Sequence, residues 1–344
     1  MSDPVISDSV KEYYGKILQK SSDLKTNACC TAEKYPRYVL DKLKSIHPDV
    51  LSSYYGCGLV MPDSLEGCRV IDLGCGTGRD VYLLSQFVGK DGEVVGVDMT
   101  DTQIKRAKSF LSYHSEVCPS VDFKHGYIEH LDELDLSPNY FDIVVSNCVV
   151  NLSPDKEAVL RQVFNLLKEG GEFYFSDVYC SKRIPNELLN DPVLWGECLA
   201  GALYWNDFIN MAKKCGFIDP RLVKSNVINI RNKEIREKLG DIEFYSATYR
   251  LFKLPDILEP DCEDYGQAVI YKGTIPYNKH NWILDNHHTM ITDKVFPVCG
   301  NTWNMLRYSR FSDHFEFIGD FNNHYGIFDG CGKQIPFTNE PSCC

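Results

Sequence analysis

The run FDIVVSNCVV, residues 141–150, carries the β-branched residues Val144, Val145, Val149 and Val150 on either side of Ser146-Asn147-Cys148. Such a run reads as a buried strand of a parallel sheet. Open α/β sheets bind ligands at the carboxyl ends of such strands, so a cysteine there needs a chemical reason. It is a poor general base for an oxygen acceptor and a poor clamp for an amide nitrogen. As a thiolate it is a soft ligand, suited to a thiophilic atom. Three thiolates replacing the three hydroxyls of As(III) give a neutral, pyramidal complex, which an apolar pocket holds without burying charge. The arsenic lone pair then points away from the sulfurs and acts as a nucleophile with no proton to remove. Cys148 fits one leg of that tripod.

A second chemical feature is VIDLGCGTGRD, residues 70–80. Gly74, Gly76 and Gly78 permit a tight turn and close approach of the backbone to a ligand. The dinucleotide fingerprint is GxGxxG, with a pyrophosphate on the helix N-terminus. Here the spacing is GxGxG, Asp80 follows the loop and Asp72 precedes it by two positions. Acid beside the loop is awkward for a pyrophosphate and suits a cationic amino group. Asp98 lies 22 residues after Gly76, where a carboxylate accepts both ribose hydroxyls. An amino acid joined to a nucleoside describes S-adenosylmethionine. In HGYIEHL, residues 125–131, Ile128 would pack the adenine ring and Glu129 would accept from its amino group.

These groups need a scaffold, and residues 67–180 alternate strand and helix signals. Strands are expected at 69–73, 93–97, 121–126, 141–147 and 172–179. Helices are expected from Arg79 to Val88, from Asp101 to about His114 behind a Thr100 cap, and after Ser153-Pro154 up to Gly170-Gly171. This is a doubly wound parallel sheet. Beyond it, a helix is expected around Asp207–Cys215, followed by antiparallel strands in RLVKSNVINI and FYSATYRLFKL. Residues 254–266 are rich in proline and acid and read as a linker. The last eighty or so residues show too weak a periodicity to assign.

The chain has 344 residues, 44% of them hydrophobic, which suffices for a large core and more than one domain. A net charge of −12 without basic runs argues against nucleic acid or an anionic membrane surface as partner. The N-terminus lacks signal-peptide features, and no apolar stretch approaches ~18 residues. A soluble, cytoplasmic protein is expected, with monomer as the default. Fifteen cysteines, an odd number in a long chain without CxxC pairs, fit neither a disulfide framework nor a structural zinc site. Most read as small buried hydrophobes, Cys75 among them.

The chain resembles the arsenite S-adenosylmethionine methyltransferases. The resemblance rests on TNAC (26–29), YYGCGLVMP (54–62), DLGCGTGRD (72–80), GVDMT (96–100), HGYIEHL, SNCVVNLSPDK, FSDVY, VLWGECLAGALYW (193–205) and FYSATYRLFK. It implies a Rossmann-like class I S-adenosylmethionine methyltransferase sheet with an added α+β arsenic-binding region and a smaller C-terminal domain. The corresponding segments are 1–66, bearing substrate-site cysteines; 67–182, binding S-adenosylmethionine; 183–255, binding arsenic; and 256–344, of unassigned role. It further implies that Cys57, Cys148 and Cys198 bind As(III) and that Cys29 pairs with Cys57 in redox steps. Tyr55, Gly74, Asp98, Met99, Gln103, Ile128, Glu129 and Cys148 would line the cofactor site, joined by Asp72, Gly76, Gly78 and Asn147. The residues themselves agree in part. Gly196, Ala200 and Gly201 around Cys198 leave room for a ligand, and Cys57 between Gly56 and Gly58 lies on backbone flexible enough for a lid. Cys30 could substitute for Cys29. Many animal relatives carry a further cysteine where this chain has Ile242. Cys343-Cys344 at the tail reads as two idle thiols.

The expected reaction is methyl transfer from S-adenosylmethionine to arsenite and methylarsenite, a detoxifying biotransformation. Its thiol reductant would be glutathione or a thioredoxin-type partner. Two rivals stand beside it. A methyltransferase for another small molecule would be indifferent to loss of the three cysteines. A thiol-based arsenic binder would bind arsenite tightly without turnover.

Overall fold

The computed structural model describes residues 35–53, 56, 58–116 and 120–331. Strands β1 (Arg69–Leu73), β2 (Glu93–Asp98), β3 (Val121–His125), β4 (Phe141–Asn147), β5 (Leu167–Cys180), β6 (Leu203–Tyr204), β7 (Arg221–Ile228) and β8 (Phe244–Phe252) form one sheet. Its order is β3-β2-β1-β4-β5-β8-β7, with β6 beside β5. The pairs from β3 to β5 are parallel, while β8 is antiparallel to both β5 and β7. The segment 183–255 therefore extends the same sheet rather than forming its own.

Alternation along the strands sorts two apolar layers. Val70, Ile143, Val145 and Tyr174 pack with Val81, Leu84 and Val88 of helix Arg79–Val88. Ile71, Leu73, Val144, Phe173 and Phe175 face helices Lys156–Leu166 and Trp205–Lys214 on the other side.

Several boundaries differ from the sequence expectation, each for a local reason. The helix expected from Ser153 begins at Lys156, because the Asp155 carboxylate, not the Ser153 hydroxyl, accepts from the backbone N–H of Ala158 at 2.9 Å. It ends at Leu166, and Gly170-Gly171 lie inside β5. Gly170 has φ +78, and a Cβ there would stand 2.1 Å from the Tyr308 carbonyl oxygen. Gly170 admits the C-terminal backbone to the strand, and Gly171 leaves room for the Asp142 and Lys168 carbonyl oxygens, each 2.9 Å from where its Cβ would stand; neither stops a helix. Thr100 makes no side-chain cap, and its helix stops at Ser109 before a short turn at Leu111–His114. The helix expected at Asp207–Cys215 spans Trp205–Lys214.

The tail folds into short strands: β9 (Glu263–Asp264), β10 (Ala268–Tyr271), β11 (Asn281–Asp285), β12 (His288–Ile291), β13 (Val295–Pro297), β14 (Phe315–Ile318) and β15 (Gly326–Ile327). They form a sheet β13-β10-β14 and the pairs β11-β12 and β15-β9. Strands of two to five residues leave little periodicity to detect. Their core is aromatic, with Tyr271, Trp282, Phe311 and Phe315 buried together.

A buried charge cluster binds this domain to the large sheet. Glu172 of β5 is fully buried, with Arg250 of β8 at 3.0 Å and Arg310 of the C-terminal domain on its other oxygen. The Arg250 guanidinium also lies over Tyr174, Trp282 and Phe311, at 5.2–5.3 Å from each ring centre. Among the described residues, no helix is long and apolar enough to cross a membrane.

Candidate active site

A cavity opens at the carboxyl ends of β1, β2 and β4. Asp72, Gly74, Gly76, Asp98, Met99, Gln103, Ile128, Glu129, Asn147 and Cys148 all line it. Gly76 has φ +53 and only open space where a Cβ would stand. Its N–H donates to Asp98 Oδ2 at 2.9 Å, and Thr100 N–H donates to Asp98 Oδ1 at 2.8 Å. One carboxylate thus ties the glycine loop to the end of β2. Each oxygen keeps acceptor capacity toward the cavity. His125 bonds the Met99 carbonyl at 2.9 Å, and the Asn147 amide donates to Gly58 O at 3.0 Å.

Two of the three loop glycines serve packing. A Cβ on Gly74, φ +77, would meet Val149 at 2.4 Å, and one on Gly78, φ +87, would meet the Phe123 ring at 2.6 Å. Gly78 does not line the cavity. Cys75 is buried with its Sγ against Gly96.

The cavity is strongly acidic. Asp72, Asp80, Asp98 and Glu129 line it against one guanidinium, Arg79, which contacts Asp80 at 3.5 Å and donates to the Tyr35 hydroxyl. Burial, then Asp80 and Asp98, push the Asp72 carboxyl well above the usual range. Burial also raises Asp98, opposed by the two N–H groups it accepts. A ligand with an ammonium group and a sulfonium matches this charge, and its ribose matches Asp98.

Cys148 lines the cavity, and Cys198 meets it from behind that wall. Cys148 follows β4 with φ +56, and its N–H donates to Ser176 O at 2.8 Å. Cys198 follows the short helix Pro192–Gly196. There Leu199 N–H reaches Leu194 O at 2.8 Å and Cys198 N–H reaches Trp195 O at 2.9 Å. This is a Schellman ending, whose left-handed position is usually glycine; Cys198 holds it at φ +60. The Cys198 thiol donates to the Cys148 carbonyl at 3.4 Å. Both lie in an apolar cluster with Leu152, Trp195, Leu199 and Ile242. Cys148 is disulfide-bonded in this structure, so its ligand form is the reduced one. Cys29, Cys30, Tyr55, Cys57, Cys343 and Cys344 lie outside the described residues.

Gly201 has a different part from the one its size suggests. A Cβ there would stand 2.1 Å from Asn151 O and 2.7 Å from the Trp195 ring. It leaves room for the chain after β4, not for a ligand. That chain is pinned in turn: Asn151 donates to Asp177 through its backbone at 3.0 Å and its side chain at 2.7 Å. Lys156 Nζ donates to Ser153 O at 2.9 Å and lies 5.0 Å from the Trp195 ring centre. Burial lowers its pKa to about 8, opposed by Asp177 and Cys198. Asn151, Asp177 and Lys156 carried no role in the sequence reading. Their only signal was membership of SNCVVNLSPDK and FSDVY, the stretches flanking the cysteine.

A glycine loop, a carboxylate at the end of β2 and an acidic cavity beneath β4 define an S-adenosylmethionine-dependent methyltransferase. Residues 64–216 match a methyltransferase domain family, and residues 265–334 match the arsenite methyltransferase C-terminal domain. An arsenite methyltransferase of Aquipseudomonas alcaligenes is 57% identical, covering 98% of this chain and 99% of its own length. The Homo sapiens arsenite methyltransferase is 45% identical over 92% of this chain and 84% of its own. Among solved structures, CrArsM, an arsenic(III) S-adenosylmethionine methyltransferase from Chlamydomonas reinhardtii, superposes with a TM-score of 0.83 at 46% identity. It covers 86% of this chain and 100% of that one. The chain belongs to the arsenite methyltransferase family.

Proposed function

We propose that the protein moves methyl groups from S-adenosylmethionine to trivalent arsenic held by the thiolates of Cys148 and Cys198, with Cys57 as the third ligand. One observation carries the reading: two cysteines from separate elements meet in an apolar cluster where the cofactor cavity ends.

The cofactor, when bound, supplies an electrophilic methyl on a positively charged sulfur. Asp98 orients the ribose, Ile128 and Glu129 hold the adenine, and Asp72 and Asp80 attract the ammonium group. Each of the three thiols forms an As–S bond as arsenite loses its three hydroxyls as water. The complex is neutral, so the apolar wall of Leu152, Trp195 and Leu199 accepts it without a counter-charge. The lone pair left on arsenic is the nucleophile. No proton leaves it, and the buried Asp177, committed to Asn151 and Val178, is a positioning residue rather than a base. Holding the two reactants in line is worth ~7–11 kcal/mol.

Donation of the lone pair formally oxidises arsenic to As(V). Two thiols, Cys29 and Cys57, return two electrons and become a disulfide, which glutathione or a thioredoxin-type partner reduces in the cytoplasm. The protein works as a monomer on arsenite and then on methylarsenite.

The test is to incubate the protein with S-adenosylmethionine, arsenite and excess glutathione and to separate arsenic species over time. Mono- and dimethylated arsenic should rise with enzyme. Unchanged arsenite with folded, cofactor-binding protein would overturn the reading.

A further inference from the structure

The C-terminal domain grips two residues of the chain that precedes β1. Asp63 offers it both carboxylate oxygens: Asn278 Nδ2 donates to Oδ1 at 3.0 Å, and Trp282 Nε1 donates to Oδ2 at 2.9 Å. Arg310 donates to the Asp63 carbonyl through Nη2 at 2.8 Å and to the Ser64 carbonyl through Nε at 3.2 Å. The Ser64 hydroxyl lies 3.0 Å from His314 Nε2, and His314 Nδ1 lies 2.8 Å from Thr274 Oγ1. Ser64 holds left-handed backbone at φ +55, a conformation that a residue with a side chain keeps only where its surroundings impose it. The gripping groups are fixed in turn: Trp282 is buried in the aromatic core, and Arg310 also pairs with Glu172 of β5.

The same stretch reaches the active site at its other end. The Asn147 amide, one residue before Cys148, donates to the Gly58 carbonyl at 3.0 Å, and Asn147 and Gly56 line the cofactor cavity. Only residues 59–62 separate Gly58 from Asp63, and Val60 among them is buried with Val70 and Val81. An extended chain reaches at most ~3.6 Å per residue, so a stretch this short, held at both ends and in the middle, has little slack. We propose that the C-terminal domain takes part in methyl transfer by positioning: its grip on Asp63 and Ser64 sets Gly58 against Asn147, and with it the cavity wall beside Cys148. Asp63 is a positioning residue and does not line the cavity. The choice of substrates as readout rests on the proposed function. There, arsenite takes three thiols and methylarsenite two, and the third, Cys57, adjoins Gly58 in the sequence. Loosening the stretch therefore weakens turnover of arsenite more than that of methylarsenite.

The experiment compares the full chain with Asp63→Ala and, from the other side of the contact, Asn278→Ala. In Asp63→Ala, kcat/KM for arsenite should fall about 10- to 100-fold, with a smaller fall for methylarsenite. Asn278→Ala should change in the same direction, and the double variant should be no worse than Asp63→Ala, because both changes break one contact. Asp63→Asn keeps an oxygen for one of the two donors and should recover part of the loss. A contact that only stabilises the fold would lower the melting temperature and leave kcat/KM of the folded protein and the ratio of the two substrates at the parent's values; that result overturns the proposal. Where Asp63→Ala does not fold, Asn278→Ala, at a half-buried site, carries the same test. Hydrogen exchange reads the grip without turnover: the peptide spanning residues 58–64 should exchange faster in both variants, and exchange equal to the parent's overturns the proposal whatever the activity. A parent chain that leaves arsenite unchanged overturns the proposed function instead, and exchange still decides the grip.

Discussion

The Cys198 sulfur lies 3.4 Å from the carbonyl oxygen of Cys148, and both residues hold left-handed backbone, at φ +60 and +56. Left-handed non-glycine residues cost about 1 kcal/mol or more each and persist where the surroundings over-determine them. Here the Schellman ending fixes one and the Ser176 hydrogen bond fixes the other.

Cys198→Ser should reduce methylation of both arsenite and methylarsenite by about 100-fold or more, because a hydroxyl is a poor soft ligand. Cys148→Ser should do the same. S-adenosylmethionine affinity, measured by calorimetry, should be retained by Cys198→Ser, whose side chain does not line the cavity.

Gly201→Ala drives a methyl group into the Asn151 carbonyl. Overpacking of this kind costs about 1–3 kcal/mol. The melting temperature should fall by several degrees, and arsenic methylation should fall more than cofactor affinity. A melting temperature equal to the parent's would contradict the packing described.

Cofactor binding should strengthen as pH rises. Asp72 has a raised pKa in the free site, so it carries a proton above the ordinary carboxylate value of 3.8. That proton stabilises the unliganded fold below 3.8, and the benefit is lost as pH climbs through the raised value. A cationic ligand favours the ionised form, so binding releases the proton. Affinity titrations from pH 5 upward should show the rise, and Asp72→Asn should bind weakly with a flatter profile.

Glu172→Gln should cost about 3–5 kcal/mol, since it leaves Arg250 and Arg310 without their shared counter-charge. Thermal unfolding should shift down, and limited proteolysis should cut first near residues 254–262, between the sheet and the C-terminal domain. A single unshifted transition would argue that the cluster does not hold the domains together.

The cofactor cavity was legible because its signals are local. Glycine spacing, β-branched runs and Asp98 at a strand end each act within a few residues of themselves. The parts that stayed hidden depend on distant chain. Gly170 and Gly201 read as a helix stop and as ligand space, yet each makes way for a carbonyl from elsewhere, Tyr308 and Asn151. Asn151 and Asp177 become partners only when β4 and β5 pair. The helix after β4 was mis-started because Ser153 and Asp155 are both good caps and only the fold chooses between them. The C-terminal domain escaped because cation–π contacts and short strands leave no periodic trace.

Strand β5 runs from Leu167 to Cys180 with a register shift against β4 before Glu172, and from Glu172 through Asp177 to Cys180 it pairs residue for residue with β8. Side chains on a strand alternate faces, so inserting or deleting one residue between Glu172 and Asp177 would turn one of the two inside out. Either the domain clamp or the loop behind Cys148 would then lose its anchor. The interval from 172 to 177 behaves as a ruler: substitutions within it are judged by size and polarity, but its length is not negotiable, although neither marked residue lines the cofactor cavity.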